Sequence, residues 1–275
     1  MLRQNPAPAG IANMRRTPSQ LCTALLLLAV ALPAQGWGWL GHQVAGDITW
    51  RYLDDTARDR VQHLLGAETL AEASTWADRM RDDPSDFWQN VAGPYHYVTV
   101  PVGRDYREVG APRQGDSVTA LTEFATVLRD RHSSGAERRL ALRFALHIIQ
   151  DLQQPLHVGN GRDRGGNDIA VAVHGEVSNL HRVWDYHIPA SARRDRRGWL
   201  RELEQRQLLR PVTSSDADPL IWIAESAKLR DTLYPPPSRV DQQYLHGHLP
   251  TVEERLALAG IRAAAWLNAV LQDDL

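Results

Sequence analysis

Two copies of one pattern carry the chemistry of this chain: His147 with Asp151, and His181 with Asp185. A spacing of four puts histidine and aspartate on one helical face, a turn apart, where both can reach a single cation. His157 follows the first copy closely, and His42, Asp78 and His96 lie upstream in Trp-, Gly- or Tyr-rich surroundings. Taken alone, each pair also fits a buried histidine satisfied by a backbone carbonyl. That reading weakens here, because His147 sits in the apolar run RFALHIIQDL, where unpaired imidazole and carboxylate groups are costly to bury. Together these residues exceed what one zinc can use, so the pattern points to a polynuclear metal site and to hydrolysis.

The elements that must position these residues read as helices. Apolar periodicity predicts helices over 42–53, 54–65, 117–131, 137–154, 180–186, 219–232 and 251–271, with Pro155 stopping the fourth. Residues 95–100 and 169–173 are the only extended stretches, read as a minor hairpin or edge strand. The expected fold class is all-α, a single multi-helix domain enclosing a metal cleft. Between the two His–Asp helices lies GNGRDRGGND, residues 159–168. It lacks the spacing and the Lys-Ser/Thr of a phosphate-cradling loop. It reads either as a surface turn or, as its flanking ligands favour, as backbone close to metal or substrate. The RRDRR run at 193–197 reads as a solvated helix start rather than a binding patch.

The N-terminus has the form of an export signal. Arg15 and Arg16 precede an apolar run from Leu21 to Leu32, then Ala34 and Gly36 stand at −3 and −1 before Trp37. Residues 1–36 are therefore expected to be a removed signal peptide and 37–275 the catalytic domain, with a periplasmic or secreted destination. The apolar run is short for a membrane span. The single cysteine, Cys22, falls inside the signal, and no Asn-x-Ser/Thr acceptor occurs. Stability is then expected from the core and from bound metal rather than from disulfides. Loss of Arg3, Arg15 and Arg16 with no acidic residue takes the formal charge from −2 to about −5, unlike a general polyanion binder. At a new N-terminus, the α-amine and carbonyl of Trp37 could chelate an ion that His42 also reaches.

Read in order, the motifs Trp37-Gly-x-x-Gly-His42, Trp76-Ala-Asp78, Tyr95-His96-Tyr97, His147-x3-Asp151, Gln154-Pro-Leu-His157, Gly165-Gly-Asn167 and Asn179-Leu-His181-x2-Trp184-Asp185 resemble the class I nucleases. These are the zinc-dependent, single-strand-specific nucleases/3′-nucleotidases of the S-one/P-one type, whose fold is shared with bacterial zinc-dependent phospholipases C. The resemblance implies three Zn2+ ions. Asp78, His96, His147 and Asp151 would hold one. The Trp37 amine and carbonyl, His42 and the bridging Asp151 would hold a second, and His157, His181 and Asp185 a third. It implies in-line attack of an activated water on phosphorus, assisted at Asp78, Asp151 and Arg81, and products carrying 5′-phosphate. Arg81 falls where the family places a cation near the phosphate, although a surface arginine would look the same. Tyr97 matches a base-stacking aromatic and could equally be core, and Asn167 is a candidate for substrate or ligand hydrogen bonds. Thr99 stands where fungal relatives carry an acidic base-reading residue.

The implied substrates are single-stranded DNA and RNA and 3′-nucleotides, acted on by a monomer without stable membrane association. A phospholipase C on the same core is the nearest alternative. It is disfavoured because that branch typically has Glu where Asp185 stands and because no surface-seeking aromatic loop or C-terminal membrane module is evident. A non-catalytic zinc-binding protein would need closed coordination. His63, His132, His174, His187, His246 and His248 are left to packing or surface positions.

Overall fold

The computed structural model describes residues 37–235 and 239–272, so the expected signal segment lies outside the described residues. The chain is mostly helical, as expected. Its helices are α1 (Trp39–Tyr52), α2 (Asp55–Leu65), α3 (Leu70–Ala73), α4 (Trp76–Arg79), α5 (Tyr106–Val109), α6 (Ser117–Arg129), α7 (Gly135–Asp151), α8 (Leu180–Arg182), α9 (Ile188–Ser191), α10 (Arg196–Gln205), α11 (Pro219–Arg230) and α12 (Gln242–Val270). Among the described residues no helix is long and apolar enough to cross a membrane.

Local chemistry sets the boundaries. A Ser134/Glu137 capping box starts α7, and Asp116, Asp195 and Asp241 side chains cap α6, α10 and α12. The run at 193–197 is indeed a helix start, with Asp195 as the cap of α10. One expectation fails: α12 begins at Gln242, not after Pro250, and carries that proline inside it. Pro250 is exposed, as is His246 four residues before it, so the carbonyl that loses its helical donor can be solvated and the helix continues.

The apolar interior falls into two clusters. One is built from α2, α6, α7, α11 and the end of α12; the other from Trp37, α1, the α8–α10 region and the middle of α12. The last eleven residues of α7 are buried except Arg143, which is why His147 and Asp151 have almost no access to water. Helix α1 is clamped on both sides by glycine contacts. A Cβ at Gly260 of α12 would lie 2.3 Å from Ile48 Cβ, and one at Gly46 would lie 2.7 Å from the Leu70 carbonyl. No residue larger than glycine fits either crossing, so His42 is held rigidly between α3 and α12.

Strands are few. Val98–Thr99 (β1) pairs in parallel with Val158–Gly159 (β2). Ala170–Val173 (β3), an expected extended stretch, forms a hairpin with Glu176–Asn179 (β4) and a short parallel contact with Arg239–Val240 (β5), so the strands at 158–159, 176–179 and 239–240 go beyond the two stretches expected. The first pair matters most. His96 and His157 each stand just ahead of one of its strands, so the pairing sets them side by side.

Candidate metal centre

Asp151, at the end of α7, is the hub of the site. Its Oδ1 lies 3.3 Å from His42 Nε2, and its Oδ2 lies 3.2 Å from His147 Nε2 and 3.0 Å from His96 Nδ1. Asp78, on α4, reaches His147 Nε2 at 3.6 Å through Oδ1. Beside this group, His181 Nε2 and Asp185 Oδ2 stand 3.2 Å apart, and the His157 and His181 rings are 4.9 Å apart. Three sets of donor atoms each fall within 4.8 Å of one another: His42–His147–Asp151, Asp78–His96–His147 and His157–His181–Asp185. All eight side chains singled out by spacing converge. His147 belongs to two of the sets, so its place is shared where the resemblance implied a single group.

Four of the five imidazoles are oriented through Nδ1, while His96 turns that atom toward Asp151. Nδ1 of His147 is 2.8 Å from the Ser74 carbonyl, that of His157 is 2.7 Å from the His96 carbonyl, and that of His181 is 2.7 Å from the Gly165 carbonyl. His42 Nδ1 donates to Gln150 Oε1 at 2.7 Å. A carbonyl accepts only, so each of these Nδ1 atoms carries a proton and each Nε2 faces inward. Nε2 of His42, His147, His157 and His181, with Oδ1 of Asp151, are buried without a hydrogen-bond partner. Five such atoms converging from three helices and a turn are what a cation site requires, and such groups are costly to bury otherwise. The donor set is nitrogen and oxygen without sulfur, which fits zinc and does not exclude other first-row metals.

Electrostatics differs from group to group, and burial lowers His96 to about 4. Burial lowers His147, but Asp151 and Asp78 outweigh it and hold the imidazole up at about 9. Burial raises Asp151 and Asp78, but the surrounding histidines, with Arg81 at Asp78, hold both below the usual carboxylate range. At His181 and Asp185 burial dominates. It drives His181 down to about 3 with His157 adding to the effect, and it raises Asp185 well above the usual value.

Several contributors were assigned no such role from the sequence. Gln150 is buried, accepts from His42 Nδ1 through Oε1, and donates to Ser74 Oγ at 3.1 Å. Its backbone carbonyl accepts from Trp37 Nε1 at 3.0 Å. Gln154 donates to Asp185 Oδ1 at 2.6 Å and caps the turn that carries His157. Asp163 accepts from Tyr234 at 2.6 Å and from the Gly166 amide at 3.0 Å, and so shapes the loop whose Gly165 carbonyl orients His181. Gly165 has φ +63°, and a Cβ there would sit 2.3 Å from the Leu156 carbonyl, so the loop is backbone packed against the ligands and not a free surface turn.

The remaining expected residues divide. Trp37 is fully buried, and the adjoining Gly38 amide bonds the Asp185 carbonyl at 2.9 Å. Its nitrogen is bonded to Gly36 in the full-length chain, so any ligation by an α-amine requires cleavage there. Arg81 Nη2 lies 2.8 Å from Asp78 Oδ1, and its charge acts on His96, His157, His181 and Asp185. It is an arginine of the site, not of open surface. Tyr97 is 45 % exposed, which rules out the core alternative. Asn167 donates to the Arg164 carbonyl at 2.8 Å, holding its own loop.

The model of the S1/P1 nuclease family matches residues 37–272. This chain belongs to the S1/P1 nuclease family. Nuclease S1 of Aspergillus oryzae is 30% identical over 92% of this chain and 98% of its own length. Endonuclease 2 of Arabidopsis thaliana is 30% identical over 89% and 93%, and Nuclease P1 of Penicillium citrinum 26% identical over 85% and 97%. The chain is thus a metal-dependent nuclease that hydrolyses phosphodiester bonds.

Proposed function

We propose that this nuclease is an exported, monomeric zinc enzyme, periplasmic or secreted, without stable membrane association. It cuts single-stranded DNA and RNA to products with 5′-phosphate and also acts as a 3′-nucleotidase. The observation that supports the zinc reading is the set of five buried Nε2 and Oδ atoms without a hydrogen-bond partner, their imidazoles oriented through Nδ1. Asp78, His96, His147 and Asp151 would hold one ion, Trp37, His42 and Asp151 a second, and His157, His181 and Asp185 a third. Bound zinc supplies Lewis acidity, bringing the pKa of water into the neutral range and neutralising charge on the phosphoryl group.

The chain's own residues supply the rest. Asp151, reached by three imidazoles, keeps the first two ligand sets in one fixed relation. Arg81 presents a guanidinium beside Asp78, able to bind phosphate charge as it builds in the transition state. Tyr97, exposed next to His96, offers a ring on which an unpaired base can stack. Stacking of that kind tolerates any sequence and selects single strands.

The test is metal analysis and hydrolysis on one sample of protein beginning at Trp37, with single-stranded DNA, RNA, a 3′-nucleotide and phosphatidylcholine. About three zincs, nucleic-acid cleavage removed by chelator, and little lipid hydrolysis are expected. Faster lipid than nucleic-acid hydrolysis would instead make the chain a phospholipase C.

A further inference from the structure

Four aromatic side chains among the described residues are substantially exposed: Trp39, Trp50, Tyr97 and Tyr186. Three stand beside the metal centre in sequence. Tyr97 follows His96, Tyr186 follows Asp185, and Trp39 is two residues after Trp37. Trp39 is the most exposed, at 55 %. An indole facing water is unfavourable without a use, and its place on α1 is informative.

Trp39 lies one turn before His42, on the same side of the helix. Gly46, one turn beyond His42, packs on Leu70, Ala71 and Ser74. This side of α1 therefore faces the segment that leads into α4, and His42 points from it to Asp151. At the open end, the guanidinium of Arg79 stands 5.7 Å from the centre of the Trp39 ring. Arg79 adjoins the ligand Asp78 and is tethered to Thr75 Oγ1 at 3.3 Å and to the Glu72 carbonyl at 3.5 Å. Arg81, paired to Asp78, lies two residues further on. A strand with a phosphate near Arg81 therefore meets, on the outward side of His42 and Asp78, a flat ring with a cation over it.

That combination is what binds single-stranded nucleic acid: an aromatic face for the base and a guanidinium for the backbone. It also answers a difficulty of charge, since a chain of formal charge −2 has no general attraction for polyanions and must place its cations locally.

We propose that Trp39, with Arg79, is a second base-stacking platform, holding a nucleotide next to the one whose phosphodiester is cut. This rests on the nuclease acting on single strands as proposed above, and it assigns Trp39 a role in gripping polymer rather than in chemistry. The molecule carries its own control. Trp50, at the far end of the same helix, has Arg58 5.6 Å from its ring centre but lies next to no ligand.

The experiment is steady-state hydrolysis of a twenty-residue oligothymidylate by the metal-loaded enzyme and its Trp39→Ala, Trp39→Tyr and Trp50→Ala variants, with bound metal counted in each. Trp39→Ala should raise KM about tenfold, the scale of one lost stacking contact, with kcat and metal content unchanged. Trp39→Tyr should restore most of the affinity, and Trp50→Ala should match wild type. An unchanged KM in Trp39→Ala overturns the platform while leaving the nuclease reading intact. So does a loss of metal and kcat at constant KM, which would make Trp39 a packing residue of the metal site. Wild-type enzyme that fails to cleave the oligonucleotide overturns the single-strand reading, and the platform with it.

Discussion

The charges buried around Asp151 and those buried around Asp216 are both dense knots of ionisable side chains, and they are satisfied differently. Asp216 receives Arg210 in a two-point grip at 2.7 and 2.6 Å and the Thr213 amide at 2.8 Å. Nearby, Arg262 and Arg255 meet Glu225 at 2.7 and 3.1 Å and share Gln153 Oε1 at 2.7 and 2.9 Å. Cations and anions face one another here, and Arg262 Nε is the one atom of the group left without a hydrogen bond, so the protein itself closes most of the knot. Around Asp151 several Nε2 atoms and a carboxylate oxygen are buried without a hydrogen-bond partner. A closed knot fastens the fold. An open one is a binding site, and what distinguishes them is unmet hydrogen-bonding capacity rather than the number of charges.

The largest effect expected from this contrast is at Asp151. Asp151→Asn keeps the shape but removes the charge that faces His42, His96 and His147, and should cost about 10³-fold or more in kcat/KM together with bound metal. Retention of full metal and wild-type rate would dismantle the shared-ligand assignment.

Asp216→Ala should do the reverse. It leaves arginines without their partner and should lower stability by about 3 kcal/mol in urea unfolding, while folded protein keeps its zinc and its kcat. Loss of metal in this variant would erase the distinction between the two knots.

A smaller effect sharpens the contrast inside the metal centre. Gln154→Leu removes the hydrogen bond to Asp185 and should weaken the third set by roughly 10- to 100-fold in zinc affinity, leaving the other two occupied in a competitive chelator titration. Equal loss from all sets would mean that the halves are not separable.

The smallest effect is in acid. Burial raises the Asp216 carboxyl, but the bonds from Arg210 and Thr213 outweigh it and hold the group at about 2, below its ordinary value of 3.8. A carboxyl depressed by folding stabilises the protein above the unfolded value, and that contribution fades as pH falls from about 4 through 2. Thermal melts of chelated protein across this range should show the decline, and Asp216→Asn should flatten it.

Much of the site was legible in the sequence because its signals are periodic. A histidine and an aspartate four apart on an apolar helix can be read without coordinates, whereas the Ser134 cap of α7 was not read and the helix ends at Asp151, three residues short of the expected 154. What could not be read is what has no periodicity. The carbonyls of Ser74, His96 and Gly165 fix three imidazoles, but a backbone carbonyl carries no side-chain signature. Gln150 looked like an ordinary helix residue, and Gln154 stood in a motif without an assigned role, until folding brought His42 and Asp185 to them. Helix α12 ran through Pro250 because an exposed carbonyl tolerates the missing donor, a matter of burial that local propensity cannot express. Asp185 sits in a wider, π-type turn over Val183–His187, so helical spacing found the right residue through slightly wrong geometry.

The parallel pairing of Val98–Thr99 with Val158–Gly159 has a wider bearing. Two residues a side cannot sustain a ladder alone, and this one is fastened from outside. The Arg230 guanidinium, fully buried on α11, binds the carbonyls of Val100 and Val158 at 2.8 and 2.6 Å. The distance between the two halves of the metal centre is thus gauged by an arginine that touches no ligand. Natural variation at that position would register as uneven metal occupancy, a catalytic defect inherited from a residue that takes no part in catalysis.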